Sequence, residues 1–366
     1  MKYLPFFLVL LVIIANSCKK SITPANDNTP YYEWQIDTLV YDIPERIPPE
    51  YVNLQCIWGS SKSDIWAVGY SDIPSGELWH SDGKNWTVVK NWPVSGIDDS
   101  GGYINDVFAV TGFDSNNVFV FGYHGYDTGG TAIVLKWNGS NWSTLPWSDG
   151  KPPRGGLTWG VKQNNDKLWA VSVTGLVIKY ENGFLSTEPK FTDYRFGYSG
   201  IAALDNGEVY ANVWKESTYV NQPVGTLTKL FKRNLTGEWM LIEDKFMSGT
   251  DYDGIGLGRG VYSIGNRLFT SNRGLWERIG NSWIKSLTID HVGGCCLVWE
   301  NDIWVYFNQD LRQYNGSEWV RVEVPLLANY IGSYLYGRGW ANGHDIFLSL
   351  IHNQDTFILH GELKGE

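Results

Sequence analysis

An aliphatic–aromatic pair placed directly after a polar turn occurs seven times along this chain. The copies are Ile65-Trp66, Val118-Phe119, Leu168-Trp169, Val209-Tyr210, Leu268-Phe269, Ile303-Trp304 and Ile346-Phe347, spaced by 53, 50, 41, 59, 35 and 43 residues. A second element follows each of the first six: "SDGKNW" to Trp86, "WNGSNW" to Trp142, "YENGF" to Phe184, "LTGEW" to Trp239, "RIGNSW" to Trp283 and "YNGSEW" to Trp319. Asn-Gly and Asp-Gly take positive φ angles at little cost, so two antiparallel strands meet at each such turn. The aromatic just beyond can fill space between neighbouring sheets.

Each unit reads as four short strands: an inner strand, one opening with the pair, a third ending at the glycine turn, and a fourth starting at the aromatic. Four strands in about 47 residues, repeated without helix-period segments, predict an all-β fold, a seven-bladed β-propeller. The seventh unit ends at "FILHGELKGE" without a glycine turn or a closing aromatic. The missing strand is found at the other end, where Glu33 to Val40 ("EWQIDTLV") matches the outer strand "EWVRVEV" at Glu318 to Val324. The N-terminal strand (33–40) is therefore expected to complete the last blade, beside Thr356 to Gly361, and to close the ring, which removes free strand edges. Trp142 and Trp319 are expected to be buried between blades.

Composition agrees. The chain has 366 residues, 15% aromatic and only 19% charged, with 19 Trp, 21 Tyr and 41 Gly. Its net charge of −10 repels phosphate backbones, so nucleic acid is not an expected partner.

The first residues carry an address. Lys2 precedes the apolar run Phe6 to Ala15, which is too short to span a bilayer comfortably. It ends in "ANSC", which resembles the lipobox of bacterial lipoproteins. That resemblance implies cleavage after residue 17 and lipid attachment to Cys18; the alternative is an ordinary signal peptide with a chance Cys. Residues 18–30 are polar and lack periodicity, as a flexible tether would be, and 31–366 form the propeller domain. A monomer held at the outer membrane or cell envelope through the lipid alone is expected, facing either the periplasm or the exterior. Cys56, Cys295 and Cys296 lie in apolar strand-like runs. They read as buried thiols or as a Cys56 disulfide to one of the adjacent pair.

The units resemble those of bacterial, Bacteroidetes-like propeller lipoproteins with "DIWAVG" and "YNGxxW" repeats, and more distantly Asp-box propellers that include sialidases. "HSDGKNW" keeps Gly83 and Trp86 of an Asp-box but sets Asp82 beside the glycine. Such motifs specify fold more than activity.

Turns between first and second strands, and the glycine hairpins, are short and share one face. The long connections share the other face, and extended loops on a rigid scaffold commonly carry binding. Trp92, Trp147, Trp214 and Tyr252 on those connections could stack on sugar rings, or could cap blade ends. "LGRGVYSIGN" around Arg259 and "YGRGWANGHD" around Arg338 match one another on expected inner strands. An Arg fork in the channel would grip a carboxylate or phosphate, or pair with a nearby Asp or water. Arg154 and Arg195 also fall at inner strands, so an Arg cluster is conceivable. The sequence thus points to a non-catalytic module binding a glycan or an envelope protein through its long-loop face. The alternative is a glycan-active enzyme, a sialidase-like hydrolase or lyase. Its proton donors would be Asp251 and Asp253, yet no Glu stands beside a Tyr at a channel position. The six His residues are scattered with no ligand spacing, so neither a metal nor another cofactor is expected.

Overall fold

The computed structural model describes residues 31–364 apart from 43–48, 73–76, 91–104, 125–129, 189–198, 218–224, 249–256, 289–294, 300–301 and 315–317 and positions 165, 173, 259, 273, 308 and 354. Cys18, Trp92, Arg195, Asp251, Tyr252, Asp253 and Arg259 lie outside the described residues. The chain is almost entirely β. Five four-stranded antiparallel sheets follow one another, at 105–144, 157–187, 200–248, 261–288 and 295–322. A sixth sheet of nine strands combines two further four-stranded sets. One set holds Val52–Ser61, Asp64–Ser71, Glu77–Ser81 and Trp86–Val88; the other holds Tyr334–Ala341, Asp345–His352, Asp355–Lys364 and Tyr31–Asp37. A single parallel bridge between Arg338 and Cys56 joins the two sets along their inner strands.

The strands that open with the repeated pair are the most buried. In Asn117–His124 all six residues from Val118 to Tyr123 are buried, as is the whole of Leu168 to Ser172. Such runs of branched and aromatic residues, apolar on both faces, belong to a sheet packed between two others. The apolar clusters show this directly, since each draws on two sheets. Trp66 and Val68 pack with Val118, Val120 and Trp142. Trp169 and Val171 pack with Val209 and Phe231. Phe347 and Ile358, near the end of the chain, pack with Ile65, Trp79 and Trp86 near its beginning.

The glycine hairpins have the expected backbone: φ is +90° at Gly139 and +94° at Gly237. The closing aromatics divide. Trp86 and Trp142 are buried, at 1% and 7% exposure. Trp239, Trp283 and Trp319 are half-buried. Trp319 thus departs from full burial: it sits at the rim of its cluster against Tyr314, 5.2 Å between ring centroids. Phe184 departs further, being 55% exposed, because the next residue, Leu185, takes the inward position.

The N-terminal segment behaves partly as expected. Tyr31–Asp37 runs antiparallel to Asp355–Lys364, from Tyr31 opposite Lys364 to Asp37 opposite Ile358. Tyr32 and Trp34 are buried in a cluster with Trp304, Leu348 and Leu359, and a Cβ on Gly361 would meet the Trp34 ring at 2.6 Å. The ladder does not extend to Val40, however. Leu39–Val40 leaves this four-stranded set and pairs in parallel with Trp86 and Thr87 on the outer edge of the 52–88 set.

A recurrent polar contact ties sheet to sheet. The indole N–H of Trp283 donates to Glu243 at 2.9 Å, that of Trp239 to Glu188 at 3.2 Å, and that of Trp86 to Asp37 at 3.1 Å. Trp86 and Trp239 open their outer strands and Trp283 is the second residue of its own, and each carboxylate sits in, or just after, the outer strand of the neighbouring four-stranded set.

Candidate functional site

Six inner strands converge on a cavity of about 730 Å³. Its described wall includes Trp58, Trp159, Tyr262, Arg338 and Trp340, with Lys62, Lys162 and Asp205 toward its mouth. Glycines let these walls approach one another: a Cβ on Gly59 would stand 3.1 Å from the Trp340 ring, and one on Gly260 would stand 3.0 Å from the Tyr262 hydroxyl.

Arg338 is the centre of the site. Its guanidinium carbon lies 3.3 Å from the centroid of the Trp159 ring, and Nη1 donates to the Gly160 carbonyl at 3.2 Å. Trp159 in turn leans on Tyr262, 5.5 Å between centroids at 59°. A guanidinium stacked this way keeps a fixed orientation and a lowered hydration, which suits it to anions. The backbone before it is bent to match. Gly337 has a φ of +68°, and a side chain there would collide with the Gln55 carbonyl at 2.7 Å. Behind Arg338 lies Cys56, a buried free thiol whose Sγ is 3.5 Å from the Val110 carbonyl. Burial pushes the Cys56 pKa up, and the nearby Arg338 charge offsets part of that shift.

Arg338 therefore stands in the channel, where its inner-strand context places it. The cavity uses the half of each inner strand next to the short polar turns, whereas the sequence points to the long connections on the opposite face. Arg154 is exposed and bridges Thr131. Trp147 is half-buried, paired with Leu185 and packed against an apolar cluster between two sheets. Trp214 is half-buried within Val209–Ser217, its backbone N–H bonded to Ser199 Oγ at 2.9 Å. None of these three lines the cavity. Among the described residues Asp205 is the one carboxylate on the wall. Among the described residues no group of His, Cys, Asp and Glu could hold a metal, and no helix is long and apolar enough to cross a membrane.

Sequence reading missed the aromatic wall. Trp58, Trp159, Tyr262 and Trp340 come one from each of four inner strands, so no linear motif announces them. It also passed over two histidines. His80 Nε2 lies 2.8 Å from Asp64 and His360 Nε2 3.1 Å from Asp345. Each ring stacks on the aromatic of the repeated pair, Trp66 at 4.1 Å and Phe347 at 4.0 Å. The signal was present as Asp-Ile-aromatic followed by His, 16 residues after Asp64 and 15 after Asp345.

No protein-family model matches this chain, and no curated protein matches it. Solved structures do. One, described as YCF48 bound to D1 peptide, is 14% identical with a TM-score of 0.55, over 94% of this chain and all of that one. The extracellular domain of the putative one component system BT4673 from B. thetaiotaomicron is 12% identical with a TM-score of 0.54; the likeness spans 90% of this chain and 40% of that one. The β-propeller domain of Myceliophteria thermophila Cps50 (Swd1) is 10% identical with a TM-score of 0.51, over 91% and 100% of the two chains. At such identities the likeness speaks for architecture alone, and together with the succession of four-stranded sheets it makes the fold of this chain a β-propeller.

Proposed function

We propose that this chain is an exported, lipid-anchored, non-catalytic propeller of seven blades that acts as a monomer and binds an anionic protein segment in its axial cavity. Tyr31–Asp37 completes the last blade in this reading, Cys18 carries the lipid and residues 19–30 give the domain reach from the envelope. The observation that carries it is the charge of the cavity. In a chain of net charge −10 the wall gathers, among the described residues, Arg338, Lys62 and Lys162 against Asp205. A cleft with one sign of charge and low-dielectric walls focuses its field on an incoming ligand. The stacked aromatics add apolar area for the side chains of an extended segment. Arg259, on the stretch that matches the one around Arg338, is the second channel cation in this proposal. Two neighbours in fold favour a protein ligand: one is described with a peptide bound and another as an extracellular domain of a putative one component system.

The test is a titration of the detergent-solubilised full chain with acidic, neutral and basic versions of one extended peptide, followed by tryptophan fluorescence. The acidic peptide should bind best, weaken as salt rises and lose about tenfold or more in affinity on Arg338→Met or Lys162→Glu. Equal binding of the three peptides, or no effect of either substitution, would overturn the proposal.

A further inference from the structure

A second cavity, of about 450 Å³, lies between the 52–88 and 105–144 sheets and contains none of the residues that line the axial one. Its floor is aromatic. Trp66, Trp137 and Trp142 meet with centroid distances of 5.2 Å for Trp66 to Trp142, 5.6 Å for Trp137 to Trp142 and 5.7 Å for Trp66 to Trp137. Trp66 and Trp142 are buried, but Trp137 is half-buried and keeps ring surface open to the cavity. Trp137 occupies the hairpin position opposite Trp142, where the preceding unit has Ser81 opposite Trp86. Tyr314 opposite Trp319 is the aromatic counterpart in a later unit, so the third Trp enlarges a position that varies from unit to unit. The rim is polar, formed by the Asp64–His80 pair with Ser115 and Asn116, both exposed.

The molecule holds an internal control. The same Asp–His–aromatic arrangement is built at Asp345, Phe347 and His360, and there it is covered. Gln35, opposite His360 on the outer strand, places Nε2 3.1 Å from His360 Nδ1, and Asp37 approaches to 3.8 Å. The residue opposite His80 is Thr87, too short to reach over the ring. The His360 side chain is accordingly 16% exposed and the His80 side chain 32%. One copy of the pair is closed, and the other opens onto tryptophan.

We infer that the cavity is a binding site for a neutral pyranose unit of a glycan. The C–H face of a sugar ring stacks on an indole. The adjacent edge offers polar groups for vicinal hydroxyls at Ser115, Asn116 and the remaining His80 nitrogen, with the Asp64 carboxylate, which already accepts from Trp66, His80 and Ser60, holding the imidazole in place. Among the described lining residues there is no Lys or Arg to compensate a carboxylate, and Asp64 adds negative charge. A neutral sugar therefore fits, and a sialic or uronic acid does not.

The test is calorimetric titration of the detergent-solubilised full chain with neutral gluco-, manno- and galacto-oligosaccharides, with sialyllactose and a proline-rich peptide alongside. Two variants accompany it: Trp137→Ala removes the exposed platform, and Thr87→Gln installs at an exposed position the cap that covers His360. At least one neutral oligosaccharide should bind saturably, and each variant should weaken it about tenfold or more, Thr87→Gln with an unchanged melting temperature. If Trp137→Ala disturbs the fold, Thr87→Gln decides alone. Three results would overturn the assignment: no neutral oligosaccharide bound at concentrations of about 10 mM, binding indifferent to Thr87→Gln, or saturable binding of sialyllactose or the proline-rich peptide only.

Discussion

Glu243→Gln is the most informative perturbation of the contacts between sheets. Glu243 lies on the outer strand Trp239–Ser248, its side chain 7% exposed. Its Oε2 accepts from Arg278 Nη1 at 2.9 Å and from Trp283 Nε1 at 2.9 Å, both belonging to the next sheet. Arg278 is itself 8% exposed and stacks on Trp283, 5.3 Å from the ring centroid. The amide keeps an oxygen for the indole but removes the charge that compensates the guanidinium. Breaking one partner of a buried pair costs about 3–5 kcal/mol, because the other charge stays buried. Lys245, 3.1 Å from Oε1 and about half exposed, adds little to that figure. For a chain of this size about 0.7 kcal/mol corresponds to one degree at the midpoint, so Glu243→Gln should lower Tm by roughly 5 °C. Differential scanning calorimetry reads this directly. The double variant Glu243→Leu with Arg278→Met should be less destabilised than either single, because a well-packed apolar pair replaces a buried ion pair at little cost. A Tm for Glu243→Gln within about 1 °C of the parent, or strictly additive singles, would refute the reasoning.

Three further outcomes are expected. Trp142→Ala should cost about 3–5 kcal/mol and the half-buried Trp319→Ala only about 1–2, a ranking that denaturant titration resolves. Stability should fall in acid, for a cause that has a sign. Burial pushes the Asp64 and Asp345 carboxyls up, but hydrogen bonds from His80 and Ser60, and from His360 and Asn342, more than offset it and leave both below the ordinary value. Glu181, held by Lys167 and Lys179, is lowered to about 2. Groups depressed on folding stabilise above their unfolded pKa and lose that contribution as pH falls through the folded one, so Tm should be flat above about pH 5 and decline below about pH 4. Asp64→Asn should remove part of that decline. Cys18→Ser should release the protein from the detergent-extractable membrane fraction, since only the thiol accepts the diacylglycerol.

How far the sequence reaches can be argued residue by residue. The units were legible because the hairpin glycines and the buried pairs are local: Gly139 takes its positive φ within four residues, and Val118-Phe119 is buried wherever its neighbours lie. The outward turn of Phe184 was not, because one residue of register exchanges it with Leu185 and the two are similarly apolar. Pairing of the N-terminal strand with the last one showed in the match of "EWQIDTLV" to "EWVRVEV" and in the alternation of Trp34 and Ile36, whereas Tyr32, one residue before the expected start, is also buried in the cluster. The parallel step of Leu39–Val40 onto Trp86 and Thr87 spans two residues and leaves no periodicity to read. Arg338 was legible from its glycine-flanked inner strand. Its Trp159 platform lies 179 residues away in sequence and meets it only through the convergence of inner strands. The Asp–His pairs went unread because each joins the start of one strand to a residue inside the next, 16 and 15 positions on.

The axial cavity exists as a binding site only if the first and last sheets are held together, and a pair of truncations tests that most directly. Equilibrium unfolding should be compared for the chain lacking 19–30 and the chain lacking 19–41. The first deletion removes only tether and should leave the midpoint within about 1 °C. The second also removes Tyr32, Trp34 and Ile36 from their cluster, the Trp86–Asp37 hydrogen bond and the Leu39–Val40 ladder. It should abolish cooperative unfolding or drive the protein to aggregate. Equal midpoints for the two truncations would contradict the proposed ring closure and the proposed use of the cavity that depends on it.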